Sequence, residues 1–327
     1  MRGEYHTAIE HGKMLFELAE DRSDLAPTII AHRAIGSGLL MLGQLESSRH
    51  HLEKALAHFD PEHHNGLAEQ YGFDFGVTCY GWISTVFLLT GMSNRESELF
   101  SKCEYYAEVS GDINSICHMH GIGWTNAAIK DDLAGWERHT AMQSRIAQEH
   151  KHPWWVSYST MSAGLLLIAS GDISGLEMFK QGADALTSSA QLFLLPTMQV
   201  TAARHLFAMG DFEHTNEMIN NAQALVEKTE EKMALSDLLR LKAAIAQMDN
   251  HNDIAEQQLR ESLEVAQQRG AKLYEIRAAI DYAQLKMSQG MYEQAQEVLQ
   301  PAYNGIVEGN CPKEKVKAKQ LLDNMSA

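Results

Sequence analysis

The feature that most restricts this chain is a repeat with a period near 40 residues. A glycine followed two residues later by an aromatic or apolar residue, and then by a small one, occurs as Gly3-Glu4-Tyr5 with Ala8 and as Gly43-Gln44-Leu45 with Ser48. It returns as Gly210-Asp211-Phe212 with Thr215 and as Gly290-Met291-Tyr292 with Ala295. Weaker copies at Gly91, Lys130, Gly171 and Asn250 complete the series, and the successive spacings from Gly43 are 48, 39, 41, 39, 40 and 40 residues. A small residue lies seven positions before each turn (Gly36, Ser84, Gly123, Gly164, Ala203, Ala243, Ala283). Another lies twelve after most turns (Ala55, Cys103, Ala183, Ala222, Ser262, Ala302). Two helices that cross closely need small side chains at the crossing, and a glycine between them closes the first helix in a left-handed conformation other residues reach only with strain.

This triple is the tetratricopeptide pattern, so the expected fold is all-α: an α–α superhelix of tetratricopeptide-like helix pairs, A then B. Composition agrees. Only 6 prolines occur in 327 residues, and alternating β-branched runs are hard to find. The prolines Pro27, Pro153 and Pro196 sit near expected A-helix starts, where proline is tolerated. In 256–269, Leu259, Leu263 and Ala266 share one face with charge opposite. The expected organisation is one domain over 1–327: a half repeat at 1–22, seven helix pairs over 25–306 and a capping helix at 313–325. An unpaired first helix suggests that the chain continues a longer one. The long first spacing marks an insertion at 60–75.

Several functional classes fall away. No apolar run reaches the ~18 residues of a membrane span. The four cysteines show no CxxC spacing, and the N-terminal stretch lacks an apolar signal segment, so a reducing cytoplasm is the expected compartment. A net charge of −16 opposes binding to nucleic acid or an anionic membrane. Among the 16 histidines, the pairs His50/His51, His63/His64, His118/His120 and His150/His152 lack the i, i+4 spacing of zinc ligands. Cys117 and His120 stand at i, i+3, and polar helix surface is the plainer reading of them. No nucleophile motif occurs, so no enzyme, cofactor or metal is expected.

The segment 255–309, followed by KAKQLLDNM at 317–325, resembles the tetratricopeptide-like C-terminal region of large bacterial signalling proteins. Those proteins carry a class III adenylate/guanylate cyclase or kinase domain, then an AAA-type ATPase module, then a helical array. The matching residues are Ala266, Gln268, Ala271, Glu275, Arg277, Ala278, Ala279, Gly290, Ala295, Leu299, Tyr303, Glu308, Gly309, Ala318, Leu321 and Leu322. DLLRLKA (237–243) and YGFDFG (71–76) resemble two further elements of that region, with Asp237, Arg240, Tyr71, Gly72, Asp74 and Gly76 matched. The chain contains neither GxxxxGK[ST] nor a cyclase segment, so the resemblance implies a helical arm and no nucleotide chemistry.

In such arrays A-helix positions 2, 5 and 9 line the concave groove. The turn frame places Arg33, His120, Trp124, Tyr158, Arg204, Asp237, Arg240, Arg277 and Gln284 there. Four arginines and one acid at these positions invert the sign of the whole chain. Arginine forks grip carboxylates, which points to a protein or peptide partner, acidic in character, or to a cyclase or ATPase module. The alternative is structural: Arg240 and Arg277 pair with Asp237 and Glu275 to link stacked helices. The insertion's Tyr71, Phe73, Asp74 and Phe75 either plug the gap between the first two repeats or touch a ligand. All five tryptophans fall within 82–155. They are core fillers or, in a second functional reading, the pocket of a small-molecule sensor.

Overall fold

The computed structural model describes residues 2–19, 25–61, 68–307 and 311–326. Residues 20–22 of the half repeat, 62–67 of the insertion with His63 and His64, and Glu308 and Gly309 lie outside them. Local chemistry sets the helix limits. Prolines occupy the first turns of the helices at 26–41, 153–169 and 195–208. Asp112, Asp132 and Asp211 accept from backbone N–H groups three residues on, as N-caps do. At Gly43, φ +75° lets its N–H and that of Gln44 reach back to Leu40 O and Leu39 O, which ends the helix and starts the return. Asn250 does the same at φ +59°. In the third pair the left-handed residue is Asp131, φ +55°, one position beyond the expected Lys130.

Among the described residues the result is a first helix without a partner of its own pair, α1 (Tyr5–Ala19), followed by seven A/B pairs. They are α2 (Ala26–Met41) with α3 (Leu45–His58), α4 (Phe75–Leu89) with α5 (Ser93–Ser110), and α6 (Ile113–Lys130) with α7 (Leu133–Glu149). Next come α8 (Pro153–Ala169) with α9 (Gly175–Ser188) and α10 (Leu195–Ala208) with α11 (Phe212–Thr229). Last are α12 (Leu235–Met248) with α13 (Asn252–Gln268) and α14 (Lys272–Ser288) with α15 (Tyr292–Asn304), before α16 (Pro312–Ser326). A single turn, Ala68–Tyr71, precedes α4. No strand occurs among the described residues. The fold is all-α, a tetratricopeptide-like array of consecutive helix pairs. No described helix is long and apolar enough to cross a membrane.

The small residues sit where helices cross. Ala55, Cys103, Ala183, Ala222, Ser262 and Ala302 are all buried. A Cβ on Gly164 would collide with the backbone of α9 at Phe179 N and Gly175 O, so α8 and α9 approach as closely as backbones can. The contacts divide the chain into two compact units: unit 1 is Met1–Thr85 with Ser97–Glu231, and unit 2 is Val86–Glu96 with Lys232–Ala327. Within unit 2, the turn after α4 lies against the last pair. The Cys311 N–H donates to Ser93 Oγ at 3.2 Å, and a Cβ on Gly91 would meet Lys272 Cβ at 3.1 Å.

Candidate binding site

The residues expected along the groove fall into two groups. In unit 2, α12, α14 and α16 bring acids and bases together. Arg240 donates from Nη1 to Asp237 Oδ1 at 2.6 Å and from Nε to Asp281 Oδ2 at 2.8 Å. Burial works against its charge, but Asp281 and Asp237 outweigh that and hold the guanidinium above its ordinary value. Arg277 donates to Glu314 Oε1 at 2.8 Å and stands 3.7 Å from Asp237. Glu275 instead takes Lys272, at 2.7 Å. Gln284 is exposed and apart from this network. Arginines here already hold carboxylates of neighbouring helices.

Unit 1 repeats that outcome at Arg204. Its Nη1 grips both Asp131 oxygens, at 2.7 and 2.8 Å, and its Nη2 donates to Ala128 O at 3.1 Å. This bond set ties α10 to the end of α6. Trp124 is fully buried; its indole N–H donates to Gln143 Oε1 at 3.0 Å and its ring lies 4.9 Å from that of Tyr158. Burial raises the Tyr158 hydroxyl well above its ordinary value. The His120 ring is buried too, with Nδ1 3.0 Å from His139 Nδ1.

Arg33 behaves differently. It projects from α2, half-buried, and no carboxylate pairs with it among the described residues. Burial lowers its guanidinium below the ordinary value, as expected for a cation without a counter-charge. Its field reaches Cys79 and His118. Cys79 is packed as a small hydrophobe with its thiol pushed up to about 12, chiefly by burial. His118 is 4% exposed, and neither ring nitrogen has a hydrogen-bond partner. Burial, with Arg33, pushes it down to about 3, so at neutral pH it is an uncharged imidazole with one unmet donor and one unmet acceptor. Three rings surround it: Phe73 at 4.9 Å, Trp82 at 5.5 Å and Trp155 at 5.9 Å between centroids. Trp82 also meets Phe193 at 5.4 Å, and Phe193 meets Tyr5 at 6.2 Å.

No known protein-family profile matches the chain, and no curated protein matches it. Among solved structures it is similar to a Signal Transduction ATPase with Numerous Domains (STAND) protein with a tetratricopeptide repeat sensor from Pyrococcus horikoshii. That likeness has a TM-score of 0.50 and 11% sequence identity, over 100% of this chain and 53% of the other. The chain thus spans about half the length of the protein it matches. The likeness is one of fold.

The insertion divides its residues between two tasks. Phe75 is buried with Ala26, Ile29, Ala55 and Cys79, between the first and second pairs. Asp74 is buried and caps α4 through Val77 N at 2.9 Å, while its own N–H donates to Ser115 Oγ. Tyr71 is exposed, its ring 5.5 Å from Phe75. Phe73 turns the other way, onto His118. The expectation that Cys117 and His120 are polar helix surface is corrected: both side chains are buried. The repeat frame does not single out Phe193; its position just before Pro196, in the apolar run QLFLLP, is the signal that marks it. Among the described residues no group of three or more His, Cys, Asp or Glu is arranged to hold a metal.

Proposed function

We propose that the chain is a non-enzymatic regulatory arm that binds a small ligand inside unit 1 and communicates its occupancy to a partner module. The observation carrying this reading is the contrast among the four groove arginines. Arg204, Arg240 and Arg277 are paired with carboxylates of their own chain. Arg33 has no carboxylate partner among the described residues, and its charge is felt at His118, whose two ring nitrogens have no hydrogen-bond partner. The similarity to a protein with a tetratricopeptide repeat sensor supports the same reading. So does the resemblance to the helical arm of cyclase- and ATPase-bearing proteins, where the partner module would lie in the same chain or a neighbouring one. A peptide laid along the groove is the second reading. It needs several open arginine forks along the groove, and of the four groove arginines only Arg33 offers one. The setting on this reading is cytoplasmic.

The test is a thermal-shift screen of the whole chain against a metabolite collection. A ligand that binds only the folded state raises Tm by mass action, and at least one compound giving a saturable rise is expected. If no compound does so, while a partner segment binds with unit 2 arginines in its footprint, the ligand-sensing reading is abandoned for the peptide groove.

A further inference from the structure

We propose that unit 1 opens and closes at a clasp, where Tyr5 at the start of α1 locks onto Glu231 just after α11, and that ligand binding acts by biasing that clasp. The proposal rests on the ligand-sensing reading above and names the part that moves.

Three observations converge. The first is the join itself. The Tyr5 hydroxyl donates to Glu231 Oε2 across 226 residues of sequence, and the Tyr5 ring lies 6.2 Å from that of Phe193 between centroids. At the surface His6 Nε2 stands 3.4 Å from Glu230 Oε2. Gly3, at φ +75°, sits so close that a Cβ there would meet Thr229 Cγ2 at 2.9 Å and Leu192 Cβ at 3.2 Å. The body of α1 is fixed elsewhere, on α2, with a glycine from each helix at the crossing. A Cβ on Gly12 would meet Ile35 Cγ1 at 2.6 Å, and one on Gly38 would meet Ile9 Cγ1 at 2.9 Å. The first turn of α1 therefore closes the start of the array onto the fifth pair. The second observation is charge. Glu231 is 1% exposed. Besides Tyr5, its carboxylate takes Leu194 N–H at 3.0 Å, Thr197 N–H at 3.3 Å and Thr197 Oγ1 at 2.7 Å, and no base pairs with it among the described residues. Burial raises it above the ordinary carboxylate value. A buried anion without a counter-charge is costly, so the hydration of Glu231 in an open form works against the bonds of the closed one. The third is backbone strain. Leu194 at φ +60° and Glu230 at φ +58° take the left-handed conformation without being glycine, and the Leu194 N–H is held there by Glu231 itself. Such residues persist where their surroundings over-determine them, and they cluster in switch regions.

Residue-resolved amide exchange on the whole chain tests it. Tyr5→Phe keeps the ring and removes the hydroxyl. Exchange at Leu194, Thr197, Glu231 and the first turn of α1 is expected to speed up together, by about fivefold, with the middle of α2 and all of unit 2 unchanged. Gly3→Cys with Leu192→Cys brings two Cβ atoms near disulfide spacing, about 3.5–4.5 Å. Oxidised, this variant should exchange at the same positions at least about tenfold more slowly than its own reduced form. No change at Leu194, Thr197 and Glu231 in Tyr5→Phe overturns the proposal, and so does identical exchange in the oxidised and reduced forms. Faster exchange throughout unit 1 in Tyr5→Phe also overturns it, because it marks the tie as part of the general packing. A compound from the thermal-shift screen is expected to bind the oxidised and reduced forms with affinities at least about threefold apart. Equal affinities overturn the role of the clasp while the sensing reading stands. If no compound binds, the sensing reading fails together with the ligand half of the proposal, and the exchange rates still decide whether the clasp opens.

Discussion

At the scale of single residues, neighbours decide which nitrogen of a histidine carries the proton. Arg138 Nη2 lies 3.1 Å from His139 Nε2. A guanidinium only donates, so Nε2 accepts, the His139 proton sits on Nδ1, and Nδ1–H donates to His120 Nδ1. Neither ring has room for a second proton. Burial first, then neighbouring cations (Arg138 for both, Arg145 for His120) and His120 itself for His139, push His120 down to about 4 and His139 down to about 3. Above the ordinary histidine value of 6.5 both folded and unfolded chains are neutral here. As pH falls from there towards 4, only the unfolded chain takes protons, so stability is lost. The urea midpoint is expected to drop over that interval, and the His120→Gln, His139→Gln double variant should drop less steeply; identical slopes would refute the assignment. Arg204 supplies a different residue-scale prediction. Arg204→Ala removes the guanidinium donors to Asp131 and Ala128 O and should lower stability by about 2 kcal/mol, seen as a lower urea midpoint, whereas Arg33→Gln should not lower it at all.

At the scale of helices, the same residue type answers two separate needs. Gly171 has φ +87°, and the space a Cβ would take there is open to 4 Å, so Gly171→Ala carries only the left-handed strain, about 1 kcal/mol. Gly164 is ordinary helix, but its missing side chain is where α9 lies, and Gly164→Ala should cost about 3 kcal/mol by forcing the pair apart. Thermal melts of the two variants check the order, and equal losses would contradict the close crossing. This division explains why the pairs are legible in the sequence. A turn glycine, a small residue seven before it and another twelve after are local requirements of one A/B crossing, and each repeat states them again. The third pair shows the limit. There Asp131, a residue tolerated in the left-handed region, replaces glycine, and the turn moves by one position with no small-residue signal to mark it.

At the scale of the molecule, sequence distance stops predicting proximity. Repeat periodicity places Arg33 and Tyr158 on equivalent inner faces, but it says nothing about Trp82 meeting Phe193 or Arg204 reaching Asp131. Such contacts join non-consecutive repeats and depend on how each pair rotates on the next, which the 40-residue pattern does not encode. The same holds for Val86–Glu96, whose partners in unit 2 come from the far end of the sequence. Stability within a fold is partitioned into cooperative units, so the amides of 86–96 are expected to lose protection together with α13–α16 in native-state hydrogen exchange; loss in step with the first turns of α4 would contradict that membership. Ser93 and Cys311, joined by a hydrogen bond, stand 218 residues apart. At ~5–20 residues per second on the ribosome, the turn after α4 exists for roughly ten to forty seconds before its counterpart is made. Nascent chains therefore pass through a stage in which the turn after α4 has been made and its partners around Lys272 and Cys311 have not. During that interval a chaperone can hold this segment, and a pause or truncation in translation upstream of Cys311 would leave it exposed.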